Sequence, residues 1–281
     1  MIARHQALSK VSRLPPISET VIQLVPLLHD EDATTADLVR VLQLDPSMSA
    51  DLLRMTNAGA FCARGEVNSV TQAVNLLGRK RLFEVAMSAA VLKVLPDPLP
   101  GYGLDLPNFW GHCVAVGSFA EALAEQVGKP LPDFAFTAGL LHDAGKMVIG
   151  QFLEDGLDAI LDDLDDTTPF FAGEAALLGM GHDEVGEMIG RAWHLPASIV
   201  AVMRWHHHPS ECPSPEHQAI VDLVHAADAL AHTFGYGADD GGLRRRVEPE
   251  VMERLGVKSR TIDAVVVTAI DRIEGLKAQA A

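Results

Sequence analysis

The chain has 281 residues, with 22 lysines and arginines against 38 aspartates and glutamates, so its formal net charge is −16 when histidine is neutral. This negative balance argues against a protein that binds nucleic-acid phosphates or rests on an anionic membrane, because both need a basic surface. Hydrophobic residues make up 48% of the chain and charged residues 21%, which is typical of a packed globular protein and excludes a disordered one.

The first residues and the cysteines of the chain indicate the cellular compartment in which the protein works. Residues 1–10 contain no apolar run of the kind found in signal peptides, and no stretch approaches the ~18 consecutive apolar residues of a membrane span. The three cysteines, Cys62, Cys113 and Cys212, are odd in number and lack a CxxC pair, so they do not suggest a disulfide framework. We therefore expect a cytoplasmic protein.

Hydrophobic spacing predicts helices along the first half of the chain. The predicted helices span residues 20–28, 36–44, 46–57, 70–77 and 81–95. Asp45 and Pro46 form a strong start signal, because a carboxylate caps the first turn and proline suits the first helical position. Ser69 precedes one helix as a cap, and Gly78 follows that helix as a stop. The sequence has no alternating run long enough to predict a strand.

A segment rich in proline and glycine, residues 96–107, predicts a linker between two helical halves. Beyond it, helices are predicted over residues 108–127, 133–153, 173–178, 183–193, 197–207, 215–234 and 259–278. The acidic run 162–166 and the stretch 236–243 are predicted loops. We therefore predict an all-α fold with one subdomain at residues 1–100 and a second at residues 101–281.

Histidine and aspartate are concentrated in the second half, beginning with His142 and Asp143 in the segment AGLLHDAGK. A charged aspartate beside a histidine in an apolar helix costs free energy unless it is paired or bound to a metal. Lys146, three residues after Asp143, shares its face of a helix. Taken alone, the pair is explained equally well by a hydrogen bond between helices.

Asp228 is a second acid among small apolar residues, in the segment VHAADALAH. It shares a helix face with His225 and with His232. One interpretation is a metal ligand, and the other is a carboxylate that accepts a hydrogen bond from a neighbouring helix.

Four more histidines each have an ordinary structural explanation. His112 could be a buried core residue, His182 could belong to a helix N-terminus, and His206 and His207 could be cations at a helix C-terminus. Together with the aspartates they form a mixed imidazole and carboxylate set of the kind that divalent metals prefer. No CxxC or HExxH motif occurs, which disfavours a structural zinc site or a zincin.

The order His112, His142-Asp143, Asp228 resembles the H…HD…D metal signature of the HD superfamily of phosphohydrolases. More specifically, the chain resembles the HDOD family, HD-related output domains of bacterial signalling. The matching segments are LPPISETVIQL (14–24), LDPSMSADLLRMTNAG (44–59), VNSVTQAVNLLG (67–78), AGLLHDAGK (138–146), HDEVGEMIGRAWHLP (182–196) and VHAADALAH (224–232). The resemblance covers almost the whole chain, with one HDOD unit over roughly residues 8–210. It implies an N-terminal helical bundle packed on an HD-like helical core.

Many HDOD proteins have lost the HD ligands and are regarded as regulatory, but this chain is similar to the related HD-GYP cyclic di-GMP phosphodiesterases at the metal positions. The retained residues are His112, His142, Asp143, Lys146, His182, His206, His207 and Asp228. Asn108 replaces a glutamate four residues before the first histidine, and the GYP signature after the histidine pair is absent. The resemblance therefore does not extend to a third metal or to cyclic di-GMP hydrolysis.

The resemblance implies one or two divalent ions, with Asp143 as a bridging ligand. His112, His142, Asp143 and Asp228 would hold one ion, and Asp143, His182, His206 and His207 would hold the other. Such ligands do not distinguish Fe, Mn, Zn and Ni. In a catalytic site, water activated between two ions would attack phosphorus and Lys146 would contact a phosphate oxygen, which makes Asp143 and Lys146 the candidate catalytic residues.

Two functions follow as hypotheses. The first is a bacterial signal-transduction protein that retains an HD-type metal site and acts on a signalling partner. The alternative is an active metal-dependent phosphohydrolase whose ligand is a phosphate ester, such as a nucleotide or a cyclic dinucleotide. Neither nucleic acid nor a membrane is expected as a partner. The triplet at residues 244–246 is a small basic patch, interpreted as a solvated turn or a partner contact.

Overall fold

The computed structural model describes residues 4–14, 18–30, 32–57, 67–93, 99, 101–127, 134–153, 170–237 and 247–280. Within these residues the regular structure is helical, apart from an isolated bridge between Leu99 and Leu104. The prediction of an all-α fold is confirmed. None of the helices described here is long and apolar enough to cross a membrane.

Fourteen α-helices lie in the described residues. In chain order they are α1 (Arg4–Val11), α2 (Glu19–His29), α3 (Thr35–Gln43), α4 (Pro46–Asn57), α5 (Val70–Leu92), α6 (Leu106–Gln126), α7 (Ala135–Leu141), α8 (Lys146–Leu153), α9 (Phe170–Leu178), α10 (His182–Ala192), α11 (Ala197–Trp205), α12 (Pro215–Thr233), α13 (Pro249–Leu255) and α14 (Ser259–Ala280). A short 3-10 turn, Pro209–Glu211, precedes α12. The short helices α1 and α13 were not predicted from the sequence.

The chain divides into two compact units. The first unit comprises Met1–Leu14 and Leu95–Ile270, and the second comprises Pro15–Val94 and Asp271–Ala281. The subdivision predicted at residue 100 stays a prediction.

In the second unit, helices α2 to α5 pack on buried aliphatic side chains, including Leu24, Leu42 and Leu52. The predicted start of α4 is confirmed: Asp45 Oδ1 accepts from the backbone N–H of Met48 at 2.9 Å. This hydrogen bond is the main reason that the pKa of Asp45 is lowered. Within α5 the backbone is non-helical at Gly78, where the sequence predicts a boundary between two helices.

The first unit contains the segments that carry the predicted site. Helix α6 packs against α7 and α12, and α10 packs against α11. Asp105 caps α6 by accepting from the backbone of Asn108 at 2.8 Å, so the helix begins within the predicted linker. Residues 96–98 and 100, the acidic run 162–166, the basic patch 244–246 and most of the 236–243 loop lie outside the described residues.

The single helix predicted over residues 133–153 is wrong. Helices α7 and α8 are separated by a turn at residues 142–145, in which Ala144 and Lys146 donate to the carbonyls three residues earlier, at 3.1 and 2.9 Å. Gly145 explains the close approach of this turn to α10, because a Cβ atom at residue 145 would collide with the carbonyl of His182. His142 and Asp143 therefore lie in a turn and not on a continuous helix.

Candidate metal centre

All of the predicted ligands come together in the interior of the first unit, from five places in the chain. These are His112 on α6, His142 and Asp143 in the turn after α7, His182 at the start of α10, His206 and His207 directly after α11, and Asp228 on α12. Each of them is buried. Lys146, the first residue of α8, is buried beside them.

The donor atoms form two groups. In the first group, one donor atom from each of His112, His142 and Asp228 lies within 4.8 Å of the others. The Oδ1 atom of Asp228 is 3.4 Å from Nε2 of His112 and 3.8 Å from Nε2 of His142. These separations are close to those between neighbouring donor atoms on one tetrahedral ion, about 3.4 Å for bonds of 2.0–2.1 Å.

The second group comprises Asp143, His182, His206 and His207, again with one donor atom from each residue within 4.8 Å of the others. The Nε2 atoms of His182 and His207 are 2.9 Å apart. The planes of the two rings are perpendicular, and their centroids are 4.9 Å apart. This group supplies more imidazole than carboxylate, a set that suits Zn, Fe or Ni.

Asp143 faces both groups. Its Oδ2 atom is 3.6 Å from Nε2 of His112 and 3.4 Å from Nε2 of His142. Its Oδ1 atom is 3.1 Å from Nε2 of His182 and 3.6 Å from Nε2 of His206. Because each oxygen is directed at a different group, the carboxylate has the position of a bridging ligand.

Backbone carbonyls hold three of the imidazoles by their outer nitrogens. Nδ1 of His112 lies 2.8 Å from the carbonyl of Tyr236, and Nδ1 of His142 lies 2.6 Å from that of Gly139. Nδ1 of His206 faces the carbonyls at the end of α11. Since a carbonyl can only accept, Nδ1 carries the hydrogen in each ring, and in the neutral ring the lone pair is on Nε2, toward the cluster.

The inner nitrogens of these three rings have the properties of metal ligands. The Nε2 atoms of His112, His142 and His206 are buried and have no well-directed hydrogen-bond partner among the described residues. Buried polar atoms are normally satisfied, and the exceptions need a physical explanation. Imidazole nitrogens and carboxylate oxygens at these spacings fit the coordination requirements of divalent transition metals.

His182 is held differently, by a side chain. Glu174 on α9, which is fully buried, accepts through Oε2 from the backbone N–H of His182 at 2.8 Å and from its Nδ1 at 2.7 Å. The hydroxyl of Tyr102 donates to Oε1 of Glu174 at 2.8 Å. Sequence reasoning missed Glu174 and Tyr102, although the acid in the apolar segment FFAGEAALL was a signal of the same kind as Asp228.

The two histidines that share a helix face with Asp228 differ in role. Nε2 of His232 is 3.3 Å from Oδ1 of Asp228, and its ring centroid is 4.8 Å from that of His112. His225 instead supports the chain: its Nδ1 donates to the carbonyl of His206 at 2.7 Å, and its Nε2 accepts from the backbone of Glu248 at 3.0 Å.

Nearby carboxylates raise the pKa of two imidazoles. Burial by itself lowers the pKa of His112, but the nearby carboxylates of Asp143 and Asp228 outweigh it and raise that pKa to about 9. Burial also lowers the pKa of His182, but the charge of Glu174 and the bond to Asp143 raise it to about 9. In the absence of an ion, both rings are therefore protonated on both nitrogens and positively charged at neutral pH.

The pKa values of Asp143 and His206 are lowered. Burial opposes the ionisation of Asp143, yet the charges of His142 and Lys146 hold its pKa well below the ordinary value, and Nζ of Lys146 is 2.7 Å from Oδ2. Burial lowers the pKa of His206 to about 4, so this ring is neutral. A divalent cation would compete with the bound protons for the same lone pairs.

Comparison with known proteins identifies a relative of this chain. A relative from Treponema pallidum (strain Nichols), an uncharacterized protein, is 21% identical over 217 residues, which are 76% of this chain and 41% of the relative. The chain thus spans about two fifths of the length of this curated relative.

Solved structures of bacterial proteins have the same fold. An HDOD domain protein of unknown function from Geobacter sulfurreducens has a TM-score of 0.77 at 23% identity, covering 97% of this chain and 95% of that one. A candidate phosphohydrolase from Shewanella amazonensis SB2B has a TM-score of 0.73 at 24% identity, covering 98% and 97%. A candidate signal transduction protein from Marinobacter aquaeolei VT8 has a TM-score of 0.80 at 22% identity, covering 99% and 65%.

At these identities the structural matches show the fold alone. The family is shown by the sequence, since the HDOD domain model matches residues 14–209, well over half of the chain. The chain belongs to the HDOD family.

Proposed function

We propose that this chain is a signal-transduction protein that holds two divalent metal ions in a buried dinuclear centre and acts on a protein partner. The observation that carries the proposal is the position of Asp143, whose two oxygens face two separate donor groups. The first ion would be held by His112, His142, Asp143 and Asp228, and the second by Asp143, His182, His206 and His207.

The free energy of leaving this cluster without an ion supports the proposal. A buried polar atom without a partner costs about 1–3 kcal/mol. Nε2 of His142 and Nε2 of His206 lack a well-directed partner among the described residues, so the metal-free protein bears this cost at both atoms. A bound ion removes this penalty, because the same lone pairs become ligands.

Burial of the donors favours a signalling role over catalysis. None of the seven ligand residues is more than 8% exposed. An ion can occupy the space between the side chains, whereas a nucleotide must bring a phosphate into contact with the ions. Metal binding that stabilises one state of the first unit can be transmitted to a partner without any substrate entering the site.

Metal analysis tests the proposal. The full chain, purified without added metal and then reconstituted anaerobically, is expected to contain two Fe, Mn, Zn or Ni ions per molecule by mass spectrometry. The isosteric variant Asp143→Asn should lose both ions, because it removes the charge of the shared ligand. Wild-type protein that contains fewer than two ions after reconstitution would contradict the proposal.

Asp222→Asn is the matched control. Asp222 lies on α12 with Asp228 and is equally buried, but it pairs with Arg254 at 2.7 Å and not with the cluster. It should therefore keep both ions. Equal metal loss in the two variants would show that general destabilisation, and not the loss of a ligand, empties the site.

A second candidate function is phosphohydrolysis, which Lys146 favours. Its buried ammonium lies 2.7 Å from Oδ2 of the shared carboxylate, where it could hold a phosphate oxygen as a point charge. Divalent ions bound beside it would supply Lewis-acid activation of a phosphate ester. The ligand class would be nucleotides or cyclic dinucleotides.

The two functions are separated by a panel of phosphomonoesters, nucleotides and cyclic dinucleotides, assayed with metal-loaded wild type and Asp143→Ala. Turnover that is present in wild type and lost in the variant would support the phosphohydrolase. Equal background rates in both proteins would exclude it for these substrates and leave the signalling function.

A further inference from the structure

A tight turn outside the predicted ligand motifs reaches the metal centre. This turn, which we call the Tyr102 turn, consists of residues 99 and 101–104, and the N–H of Leu99 donates to the carbonyl of Leu104 at 3.1 Å. Gly101 has a φ of +78°, and a Cβ atom there would collide with the backbone of Gly150 in α8. The Tyr102 turn is therefore seated directly on α8.

Tyr102 points from this turn into the interior, where it is 5% exposed. Its hydroxyl donates to Oε1 of Glu174 at 2.8 Å, and Oε2 of Glu174 accepts twice from His182. A carboxylate held by three donors has few alternative positions. Glu174 in turn keeps the hydrogen of His182 on Nδ1 and orients Nε2 toward Asp143 and His207, at 3.1 and 2.9 Å.

We infer that Tyr102 is a positioning residue for the metal centre, acting through Glu174 on His182 and hence on the ion held by Asp143, His182, His206 and His207. This inference rests on the proposed dinuclear centre and adds to it a contact that no ligand motif contains. Carboxylate partners of ligating histidines fix the ring and raise its basicity, and their loss typically weakens metal binding 10- to 100-fold.

The effect should be selective for one of the two ions. The histidines of the other group are held by the carbonyls of Tyr236 and Gly139, which side-chain substitutions leave in place. The Tyr102 ring has a separate contact, since Nζ of Lys146 is 5.4 Å from its centroid. Tyr102→Phe removes the hydroxyl and keeps this ring contact, so it isolates the hydrogen bond to Glu174.

The experiment is a Co²⁺ titration of the metal-free full chain, followed by calorimetry and by visible absorption, which reports the ligand geometry of each bound ion. For Tyr102→Phe we expect one Co²⁺ to bind about tenfold more weakly, with altered bands, and the other to bind as in wild type. Glu174→Gln should weaken the same ion by about 10- to 100-fold.

Ser118→Ala is the control for the loss of a buried hydroxyl, because Ser118 is fully buried on α6 and donates to Val114 of the same helix at 2.8 Å. It should leave both affinities and the spectrum unchanged. If Ser118→Ala also weakens metal binding, the effect cannot be assigned to Tyr102, because the loss of any buried hydroxyl would then produce it.

The remaining outcomes are distinct. Wild type that binds fewer than two Co²⁺ ions would refute the dinuclear centre itself. Wild type that binds two ions, together with a Tyr102→Phe protein whose affinities and spectrum are unchanged, would overturn only the positioning role. If Tyr102→Phe does not fold, Glu174→Gln decides: two wild-type affinities in that variant would equally overturn the role.

Discussion

The charges of carboxylates are balanced in different ways in the two units. In the second unit, the buried Glu84 has a cation on its own helix, Arg81 at 2.5 Å, and Asp45 caps a helix start. In the first unit, Asp143 lies among imidazoles from other helices, with Lys146 as a close cation. The charge of Glu84 is thus balanced by a neighbour in sequence, whereas the charges of the cluster carboxylates Asp143 and Asp228 are balanced largely by protons on imidazoles or by a bound ion. Metal dependence should therefore be a property of the first unit.

The largest expected difference between the two units is the loss of stability when the metal is removed. If an ion binds only the folded chain, its presence at 1,000 times Kd adds about 4 kcal/mol to the free energy of unfolding. We expect a chelator to remove that stabilisation and to speed amide hydrogen exchange around α6, α10 and α12, while α3 and α4 keep their protection. Equal loss of protection in both units would contradict the assignment.

The pH dependence of the metal-free protein should be the next largest effect. The pKa of His112 and of His182 is raised from 6.5 to about 9, so their stabilisation is fully present below pH 6.5 and is lost as the pH rises through 9. The pKa of His206 is lowered to about 4, so its contribution is present above pH 6.5 and is lost as the pH falls toward 4.

Urea unfolding at pH 6.5 and pH 9, followed by tryptophan fluorescence, measures this dependence, since Trp110, Trp193 and Trp205 all belong to the first unit. The metal-free protein should be less stable at pH 9 than at pH 6.5. The loaded protein should change much less, because imidazoles bound to metal do not take up protons. A loaded protein with the full pH dependence would contradict these ligand assignments.

Asp222→Asn tests whether every buried acid of the first unit belongs to the centre. Asp222 and Arg254 form a two-bonded pair at 2.7 Å, and the guanidinium is about one-third exposed. Loss of the charge should lower the free energy of unfolding by about 2 kcal/mol, below the range for a fully buried pair because water screens the arginine. Urea unfolding measures the change, and metal content should not alter.

Asp45→Ala is the corresponding change in the second unit and the smallest effect. It removes the oxygens that accept from Met48 and from Thr20, at 2.9 and 3.0 Å. Loss of a helix cap of this kind costs about 1 kcal/mol. The stability of the variant should fall by that amount in urea, with wild-type metal content. Altered metal affinity would show that the centre is not confined to the first unit.

The sequence allowed the helices and the ligand set to be predicted because their signals are local. Asp45 with Pro46 marks a helix start by chemistry within one turn, and the histidines and aspartates of the cluster stand out against apolar neighbours. Their convergence was suggested by the resemblance and not by spacing, since the residues lie on separate helices.

What the sequence did not reveal depends on contacts between distant segments. The turn at residues 142–145 replaces a continuous helix because Gly145 approaches the start of α10, a neighbour 37 residues away in sequence (182 minus 145). The role of Tyr102 depends on Glu174, 72 residues later. A tyrosine in a proline-rich segment shows no pattern by itself, so its function emerges only from the fold.

Gly145 sets a limit on substitution that is independent of the metal. The contact that excludes a side chain there is with the backbone of His182, and so it does not depend on which side chains follow or on any bound ion. An alanine at this position would push the turn and the start of α10 apart in the metal-free and the loaded protein alike, so the close fit of these two backbones is a property of the chain alone.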